Sequence, residues 1–220
     1  MNKLRYKAAI FDMDGTVLDT LDELTISLNH IFAVRGRMAV SKEDVRQCLG
    51  YGYAGLIERT ASDAGAAEKE ALIHAFKEYY TSHCQGHTYP YAGIAEMLEQ
   101  LKAAGSLNAI VSNKGQRAVT ALHEEFFSNT VAFALGETPN LAKKPAPDMI
   151  REALRRLDCR PDEAVYIGDS EVDKLTADNA GLPVVLVTWG FRDRSFLQRL
   201  RPAALADAPD ELLTYLLPPS

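Results

Sequence analysis

The stretch Ile10-Phe11-Asp12-Met13-Asp14-Gly15-Thr16-Val17-Leu18-Asp19-Thr20 decides how the rest of this chain is interpreted. The apolar run from Tyr6 to Phe11 predicts a short buried strand, and two carboxylates, Asp12 and Asp14, follow it. Side chains two residues apart on a strand point the same way, so both acids are expected to face one site. An unpaired buried carboxylate costs several kcal/mol, so the pair requires a metal ion or a cationic side chain.

The length and composition predict an ordinary globular protein. With 220 residues the chain can bury a sizeable core, as one domain with a large insertion or as two domains. No stretch is apolar enough to span a bilayer, and Asp12 and Asp14 interrupt the start where an export signal would be apolar, so we expect no membrane association. Three cysteines without paired spacing favour free thiols and a cytoplasmic location. The net charge of -6 argues against non-specific binding of nucleic acid.

Apolar spacing divides the chain into two kinds of region. From Leu21 to about residue 85 the pattern is helical throughout, with Ser41 as a helix N-cap. After Gly93, helices alternate with apolar strands. The predicted strands in this part are 107–111, 131–135, 163–167 and 183–187. The predicted helices in this part are 93–103, 115–127, 147–157, 172–180 and 210–217.

This alternation predicts an α/β fold with a doubly wound, Rossmann-like parallel sheet covered by helices on both faces. We expect residues 1–17 and 88–220 to form the core and residues 18–87 to form an inserted all-helical cap domain. Sheets of this kind bind ligands beyond the carboxyl ends of their strands. The residues at those ends are therefore the candidates for function.

Further polar groups fall at the predicted strand ends. Ser112 follows the strand at 107–111, Lys144 lies in a proline-containing loop, and Asp169 follows the strand at 163–167, with Asp173 one helical turn later. Carboxylates hold Mg2+, lysine neutralises phosphate, and a hydroxyl orients phosphate oxygens. A remaining carboxylate can attack phosphorus. The set favours phosphoryl transfer with Mg2+ as cofactor.

Four segments, "DMDGT", "VSNK", "KKPAPDMIREAL" and "YIGDSEVD", occur in an order that closely resembles the haloacid dehalogenase-like phosphatase superfamily. The resemblance implies that Asp12 is the nucleophile and that Asp14 is the general acid and then the general base. Thr16 would help to orient Asp14. Lys144 would stabilise the nucleophile and the phosphate charge, and it is preferred to Lys143 because the family pattern has lysine directly before proline.

The same resemblance assigns binding roles to the other strand-end residues. Ser112 would bind the transferring phosphoryl oxygen, and Asn113 would supply nearby polar contacts. Asp12, the backbone carbonyl of Asp14 and Asp169 would hold Mg2+, and Asp173 would orient Lys144 or a metal-bound water. The predicted metal group is therefore Asp12, Asp14, Asp169 and Asp173.

The insertion resembles the C1-type helical cap of this superfamily, which closes over the site and excludes water. Within it, Gly50-Tyr51-Gly52-Tyr53-Ala54-Gly55 matches G-x-G-x-x-G but follows a helix, not a strand, so a dinucleotide site is not expected. Tyr51, Tyr53 and Arg59 are candidate substrate-binding groups. The alternative interpretation is a turn between helices with the tyrosines in the core.

The segments "LDTLDEL", "GYGYAGLIERT", "TYPYAGIAEMLEQLKAAG" and "VTWGFRD" are most similar to the phosphoglycolate phosphatase group. This implies a Mg2+-dependent phosphatase that acts on a small phosphorylated metabolite, 2-phosphoglycolate, through an aspartyl phosphate on Asp12. The alternatives are a pyrophosphatase, a broad sugar-phosphate or nucleotide phosphatase, a β-phosphoglucomutase-like mutase and an inactive phosphate-binding protein. A monomer or a homodimer is expected.

Overall fold

The computed structural model describes residues 4–217 as alternating strands and helices. The strands, in chain order, are β1 (Ala8–Phe11), β2 (Leu18–Asp19), β3 (Tyr89–Pro90), β4 (Leu107–Gly115), β5 (Phe133–Glu137), β6 (Ala164–Gly168), β7 (Val184–Val187) and β8 (Ala204–Ala206). The α-helices are α1 (Leu21–Val34), α2 (Lys42–Cys48), α3 (Gly52–Thr60), α4 (Ala66–His83), α5 (Ile94–Ala103), α6 (Gln116–Phe126), α7 (Asp148–Leu157), α8 (Glu171–Ala180), α9 (Arg194–Arg199) and α10 (Pro209–Leu216).

Six parallel strands form the central sheet in the order β5-β4-β1-β6-β7-β8. Ala8 of β1 faces Leu107 of β4 on one side and Ala164 of β6 on the other. From β1 the chain forms β4 and β5 on one side of the sheet, and it then crosses to the other side of β1 to form β6, β7 and β8. Such a reversal opens a crevice at the carboxyl ends of the central strands. The predicted doubly wound α/β fold is confirmed.

Both faces of this sheet are buried, which explains why its strands are nearly continuous apolar runs. Along β1, Phe11 belongs to the core on one face, which includes Leu98 of α5. Ile10 belongs to the core on the opposite face, which includes Met149 of α7. The rigid centre of the sheet therefore ends directly at Asp12.

Helices α1 to α4, which we call the helical insert, lie between β2 and β3. These two short strands pair in antiparallel fashion, with Leu18 opposite Pro90 and Asp19 opposite Tyr89. The insert has buried residues of its own, including Leu72 and Phe76. The predicted domain boundaries at residues 18 and 87 stay a prediction, which this pairing of the outgoing and returning chain supports.

The predicted helices and strands lie within about four residues of the observed ones at each end, and the largest difference is at the end of β4. Ser41 caps α2 as predicted, since its hydroxyl oxygen accepts a hydrogen bond from the Asp44 N–H. The sequence analysis missed β2, β3, β8 and α9. Among residues 4–217, no helix combines the length and the apolar character that a membrane span requires.

Candidate active site

Asp12 stands at the end of β1, on the floor of a crevice. Its backbone N–H donates to the Ile167 carbonyl of β6, which extends the sheet ladder by one residue. The Asp12 Oδ1 atom accepts from the Met13 N–H at 2.7 Å and lies 2.8 Å from Lys144 Nζ. Within residues 4–217, Oδ2 forms no hydrogen bond, so one oxygen of a buried carboxylate remains available for chemistry.

Lys144 is buried among acceptors that use all three of its N–H donors. Its Nζ atom lies 2.8 Å from Asp12 Oδ1, 2.9 Å from Asp173 Oδ1 and 3.0 Å from the Tyr166 hydroxyl. Burial alone would lower the pKa of Lys144, but the negative charges of Asp12 and Asp173 outweigh it and hold this pKa well above its ordinary value. Lys144 therefore stays protonated beside Asp12.

Asn113 holds the Lys144 backbone in place. Its Oδ1 accepts from the Lys144 N–H at 2.7 Å, and its Nδ2 donates to the Lys144 carbonyl at 2.9 Å and to the Gly50 carbonyl at 3.0 Å. These bonds use both amide N–H groups. The contact predicted between Asn113 and substrate is thus replaced by a positioning role that joins the Lys144 loop to the helical insert.

Both oxygens of Asp173 are occupied by protein donors. Oδ1 accepts from Lys144 and Tyr166, and Oδ2 accepts from the backbone of Asp169 and from the backbone and hydroxyl of Ser170. Burial would raise the pKa of Asp173, but the charge of Lys144 and these hydrogen bonds lower it. Of the roles predicted for Asp173, the geometry favours orientation of Lys144 over direct contact with an ion.

Asp169 is held where only glycine leaves room. A Cβ atom on Gly15 would lie 2.3 Å from Asp169 Oδ2, and one on Gly190 would lie 2.5 Å from the same oxygen. Oδ2 accepts from the Phe191 N–H at 2.6 Å. Burial, followed by the charge of Asp173, raises the pKa of Asp169 to about 7.

The arrangement fits a hard divalent cation. Carboxylate oxygens of Asp12, Asp169 and Asp173 lie within 4.8 Å of one another. Asp12 and Asp173 share Lys144, Asp14 pairs with Lys114, and Asp169 forms no ion pair with either lysine, so the acids outnumber the lysines. Burial and the charges of Asp173 and Asp169 raise the pKa of Asp12 well above its ordinary value, against the opposing charge of Lys144. A magnesium ion would supply the missing charge and prefers oxygen ligands.

Asp14 is oriented by a threonine, but not by the predicted one. Thr20 donates to Asp14 Oδ1 at 2.7 Å. The hydroxyl of Thr16 is buried and has no hydrogen-bond partner in the described part of the chain, while its carbonyl accepts from Trp189 Nε1. A tight turn on the Met13 carbonyl returns the chain so that Thr20 lies beside Asp14. The prediction for Thr16 is corrected in favour of Thr20.

Ser112 lies inside β4, which continues past the predicted strand end at residue 111. It is buried, lines the cavity, and its hydroxyl oxygen accepts from the Lys114 N–H at 3.2 Å. Its O–H hydrogen remains free to donate to a ligand. The geometry is compatible with the predicted contact to a phosphoryl oxygen.

Sequence reasoning missed Lys114 and Tyr80. Lys114 is buried at the end of β4, with Nζ 3.0 Å from Asp14 Oδ1 and hydrogen-bonded to the hydroxyl of Tyr80 from α4. Its Nζ also lies 4.1 Å from the centroid of the Tyr80 ring. The available signal was the last letter of "VSNK", a lysine at the end of a buried run. A lysine at that point is unexpected unless it has a partner.

Only one of the three candidates in the helical insert reaches the site. Tyr53 is buried and lines the cavity, whereas Tyr51 and Arg59 lie outside its lining. The Arg59 guanidinium packs 4.3 Å from the centroid of the Tyr51 ring, on the surface of the insert. Tyr53 points into the cavity from helix α3, whereas Arg59 lies on the outer side of that helix. Contact of Tyr51 and Arg59 with substrate stays a prediction, which this geometry does not support.

These groups surround a small cavity of about 40 Å³. Acids and lysines of the sheet form its floor, and Leu24, Leu49 and Leu56 of the helical insert and its loop form an apolar wall. The loop before α3 comes close to β4, since a Cβ on Gly52 would lie 2.9 Å from the Asn113 carbonyl oxygen. The volume admits a few water molecules, so the site holds only a small ligand unless the insert moves.

A buried carboxylate with one free oxygen, a neighbouring acid, a lysine and a cluster of further acids at the ends of parallel strands are typical of one class of hydrolase. The model of the haloacid dehalogenase-like hydrolase family matches residues 9–187. A phosphoglycolate phosphatase of Mesorhizobium japonicum is 33% identical over 212 residues, which cover 94% of this chain and 93% of that protein. A phosphoglycolate phosphatase of Rhodobacter capsulatus is 33% identical over 190 residues, which cover 84% of this chain and 85% of that protein.

Solved structures agree with these relatives. A Lactobacillus delbrueckii subsp. bulgaricus protein, provisionally named a phosphoglycolate phosphatase, has a TM-score of 0.93 and 36% identity, with 100% of each chain covered. CbbY from Rhodobacter sphaeroides, solved in complex with phosphate, has a TM-score of 0.78 and 25% identity, with 94% of this chain and 96% of that chain covered. The chain belongs to the haloacid dehalogenase-like hydrolase family, and the predicted class of enzyme, a phosphoric monoester hydrolase, is confirmed.

Proposed function

We propose that this enzyme hydrolyses a small phosphomonoester, 2-phosphoglycolate, in a Mg2+-dependent reaction through an aspartyl phosphate on Asp12. The observation that carries the proposal is the free Oδ2 of Asp12, which belongs to a buried carboxylate already oriented by Met13 and Lys144. The small cavity and the phosphoglycolate phosphatases among the relatives support the choice of substrate.

In the first half-reaction, Asp12 Oδ2 attacks phosphorus and forms a P–O bond while the bond to the leaving oxygen breaks. Asp14 gives its proton to that oxygen, and the alcohol leaves. Thr20 fixes the Asp14 carboxyl group for this transfer. Ser112 donates to a phosphoryl oxygen, and the positive charge of Lys144 stabilises the negative charge that develops there.

In the second half-reaction, Asp14, now a carboxylate, removes a proton from water. The resulting hydroxide attacks phosphorus, the bond to Asp12 breaks, and inorganic phosphate leaves with the Asp12 carboxylate restored. The apolar wall of the helical insert keeps other water away from the aspartyl phosphate. Lys144 remains beside Asp12 throughout and stabilises its negative charge.

Asp12, Asp169 and the backbone carbonyl of Asp14 would hold the magnesium ion. When bound, Mg2+ neutralises phosphate charge and so helps phosphorus to accept a nucleophile. Asp173 keeps Lys144 in place beside this set. The excess of acids over lysines at this site supports this composition.

The test is release of inorganic phosphate from 2-phosphoglycolate, pyrophosphate, sugar phosphates and nucleotides, with Mg2+ and with a chelator. We expect Mg2+-dependent release with the highest kcat/KM for 2-phosphoglycolate, and no release by Asp12→Asn. A higher kcat/KM for another compound would reject the substrate and keep the mechanism. Sugar-phosphate interconversion without phosphate release would instead favour the mutase alternative.

A further inference from the structure

Lys114 is a second buried cation of the cavity, and the proposed chemical steps leave it without a role. It lines the cavity next to Asp14 and comes from β4, the strand that also carries Ser112. A lysine ammonium group has three N–H donors. Lys114 uses one toward Asp14 and one toward the Tyr80 hydroxyl. Among the described residues no third acceptor is present, so one donor of a buried, cavity-lining ammonium group remains for a ligand.

Lys144 provides the internal comparison. Its three donors are all used by Asp12, Asp173 and Tyr166. The two lysines therefore differ, because protein acceptors use every N–H donor of Lys144 but leave one donor of Lys114 without a partner in the described residues. A spare donor on a buried cation is a binding site for an anion, since a charge-assisted hydrogen bond is stronger than a neutral one.

Tyr53 supplies a second polar group in the same cavity. It is 5% exposed and approaches the backbone beside Lys114, with its hydroxyl 3.8 Å from the position of a Cβ on Gly115. The Gly115 backbone approaches the oxygen of that hydroxyl, but no residue in the range 4–217 accepts a hydrogen bond from its O–H. Burial raises the pKa of Tyr53 well above its ordinary value, so the phenol stays protonated and can donate. A buried O–H donor without an acceptor is costly unless a ligand supplies one.

The position of Lys114 beside Asp14 determines which part of a substrate it can contact. Asp14 must contact the leaving oxygen in order to protonate it, and Lys114 Nζ lies 3.0 Å from the same Asp14 carboxyl group. A negative group that is joined to the leaving oxygen through one carbon would therefore fall beside Lys114. The phosphoryl group lies on the other side of that oxygen, toward Asp12 and Lys144.

We propose that Lys114 Nζ and the Tyr53 hydroxyl form a specificity subsite for a carboxylate that is one carbon away from the scissile oxygen. This inference rests on the proposed phosphomonoesterase function and names the feature of the substrate that the site selects. A subsite of this kind disfavours a phosphate ester whose leaving group is neutral, because that ester leaves one donor of Lys114 and the Tyr53 O–H without an acceptor.

The experiment compares 2-phosphoglycolate with 2-hydroxyethyl phosphate, a neutral-leaving-group ester of similar size, and uses the ratio of their kcat/KM values. For the wild-type enzyme we expect a ratio of at least about 100 in favour of the carboxylate ester. Lys114→Met keeps the length and removes the charge, and it should lower this ratio at least tenfold. Lys143→Met makes the same change at an exposed lysine and should leave the ratio within about twofold.

The ratio separates recognition from a merely structural role. If Lys114 only supported Asp14, Lys114→Met would slow both esters equally and leave the ratio unchanged, which would overturn the inference. Lys114→Arg retains a cation and should keep most of the preference. Tyr53→Phe retains the ring and should lower the ratio severalfold, mainly through a higher KM for 2-phosphoglycolate. An unchanged ratio in Tyr53→Phe would overturn the part assigned to that hydroxyl.

Calorimetry measures binding of each ester to the inactive Asp12→Asn variant and so provides a readout without turnover. Adding Lys114→Met to this background should weaken binding of 2-phosphoglycolate at least tenfold and that of 2-hydroxyethyl phosphate much less. Absence of Mg2+-dependent phosphate release from every ester would reject the proposed function itself. Release from both esters at equal rates by the wild type would keep the phosphatase mechanism and overturn this subsite.

Discussion

At the scale of single residues, the two acids near the start of the chain lie beside different lysines. Asp12 lies 2.8 Å from Lys144 Nζ, and Asp14 lies 3.0 Å from Lys114 Nζ. The two lysines come from different strand ends, so the pairs are kept apart and the two carboxylates can take different roles. In the proposed mechanism, Asp12, directly after β1, attacks phosphorus, and Asp14 transfers the proton.

Thr20 is expected to matter for proton transfer, and Thr16 is not. Replacement of Thr20 by valine removes the 2.7 Å hydrogen bond to Asp14 with little change in shape. We expect kcat to fall about tenfold, which is about 1.4 kcal/mol of transition-state stabilisation, with little change in KM. The matched control is Thr16→Val, because the Thr16 hydroxyl has no hydrogen-bond partner in residues 4–217. This control should leave kcat within about twofold of the wild-type value. Equal losses in both variants would contradict the assignment.

The sequence predicted the site residues whose position follows from the sheet alone. Asp12 and Asp169 directly follow strands that pair with each other, so a parallel sheet brings them together. Thr20 and Lys114 could not be identified in this way. Their contacts depend on how the turn after β1 closes and on where the helical insert places Tyr80.

At the scale of elements, the long apolar strands and amphipathic helices were predictable because each carries its own periodic pattern. The strands β2, β3 and β8 have two or three residues each, which is too few for any period. β2 and β3 exist because Leu18 meets Pro90 across an insert of about seventy residues, and β8 exists because it pairs with β7. Long-range pairing, not local preference, forms these elements.

The loop between α2 and α3 gives an element-scale prediction. Gly52 has φ +72°, and an added Cβ would lie 2.9 Å from the Asn113 carbonyl oxygen. Gly36 has φ +67° and no atom within 4 Å of the same position, so Gly36→Ala measures the backbone cost alone. We expect Gly36→Ala to lower the free energy of unfolding by about 1 kcal/mol and Gly52→Ala by about 2–3 kcal/mol.

The two glycine variants should also differ in activity. Gly52→Ala pushes the helical insert away from Asn113, which positions Lys144, so kcat/KM should fall, whereas Gly36→Ala should keep it. Urea unfolding gives the stabilities, and phosphate release gives the activity. Equal destabilisation by both substitutions would show that the close approach of this loop to β4 is not retained in solution.

At the scale of the whole molecule, two arginines join the insert to the metal side of the core. Arg192 donates to the Leu49 carbonyl at 2.9 Å and is held by Glu171, while Arg46 donates to the Phe191 carbonyl. The Phe191 N–H in turn supports Asp169. The segment that orients a proposed metal ligand is thus the same segment to which the insert is attached.

Arg192→Gln should therefore loosen the helical insert without unfolding the core. We expect faster hydrogen–deuterium exchange in α2 and α3, unchanged exchange in β1 and β6, and a higher KM. Arg160→Gln is the matched control, because the ion pairs of the exposed Arg160 in residues 4–217 are local ones, with Asp162 and Glu163 just before β6. Unchanged exchange in α2 after Arg192→Gln would show that Arg192 does not hold the helical insert to the core.

Metal binding should stabilise the whole chain, and more so at higher pH. In the metal-free protein, burial and then the charge of Asp173 raise the pKa of Asp169 to about 7, whereas an unfolded aspartate titrates near 3.8. The unfolded state therefore loses this proton first as pH rises. The metal-free fold becomes less stable between about pH 4 and pH 7, by up to a few kcal/mol, and the cost persists above pH 7.

A bound cation removes that cost, because it compensates the ionised carboxylates of Asp169 and Asp12, whose pKa is raised in the same direction. We expect about 5 mM Mg2+ to raise the Tm clearly more at about pH 8 than at about pH 5.5. Chelator-treated protein should show Tm falling across the same interval. The control Asp169→Asn removes the titrating group, so its Tm should respond weakly to Mg2+ at both pH values. An equal response of the unaltered chain at both pH values would mean that these carboxylates do not bind the ion.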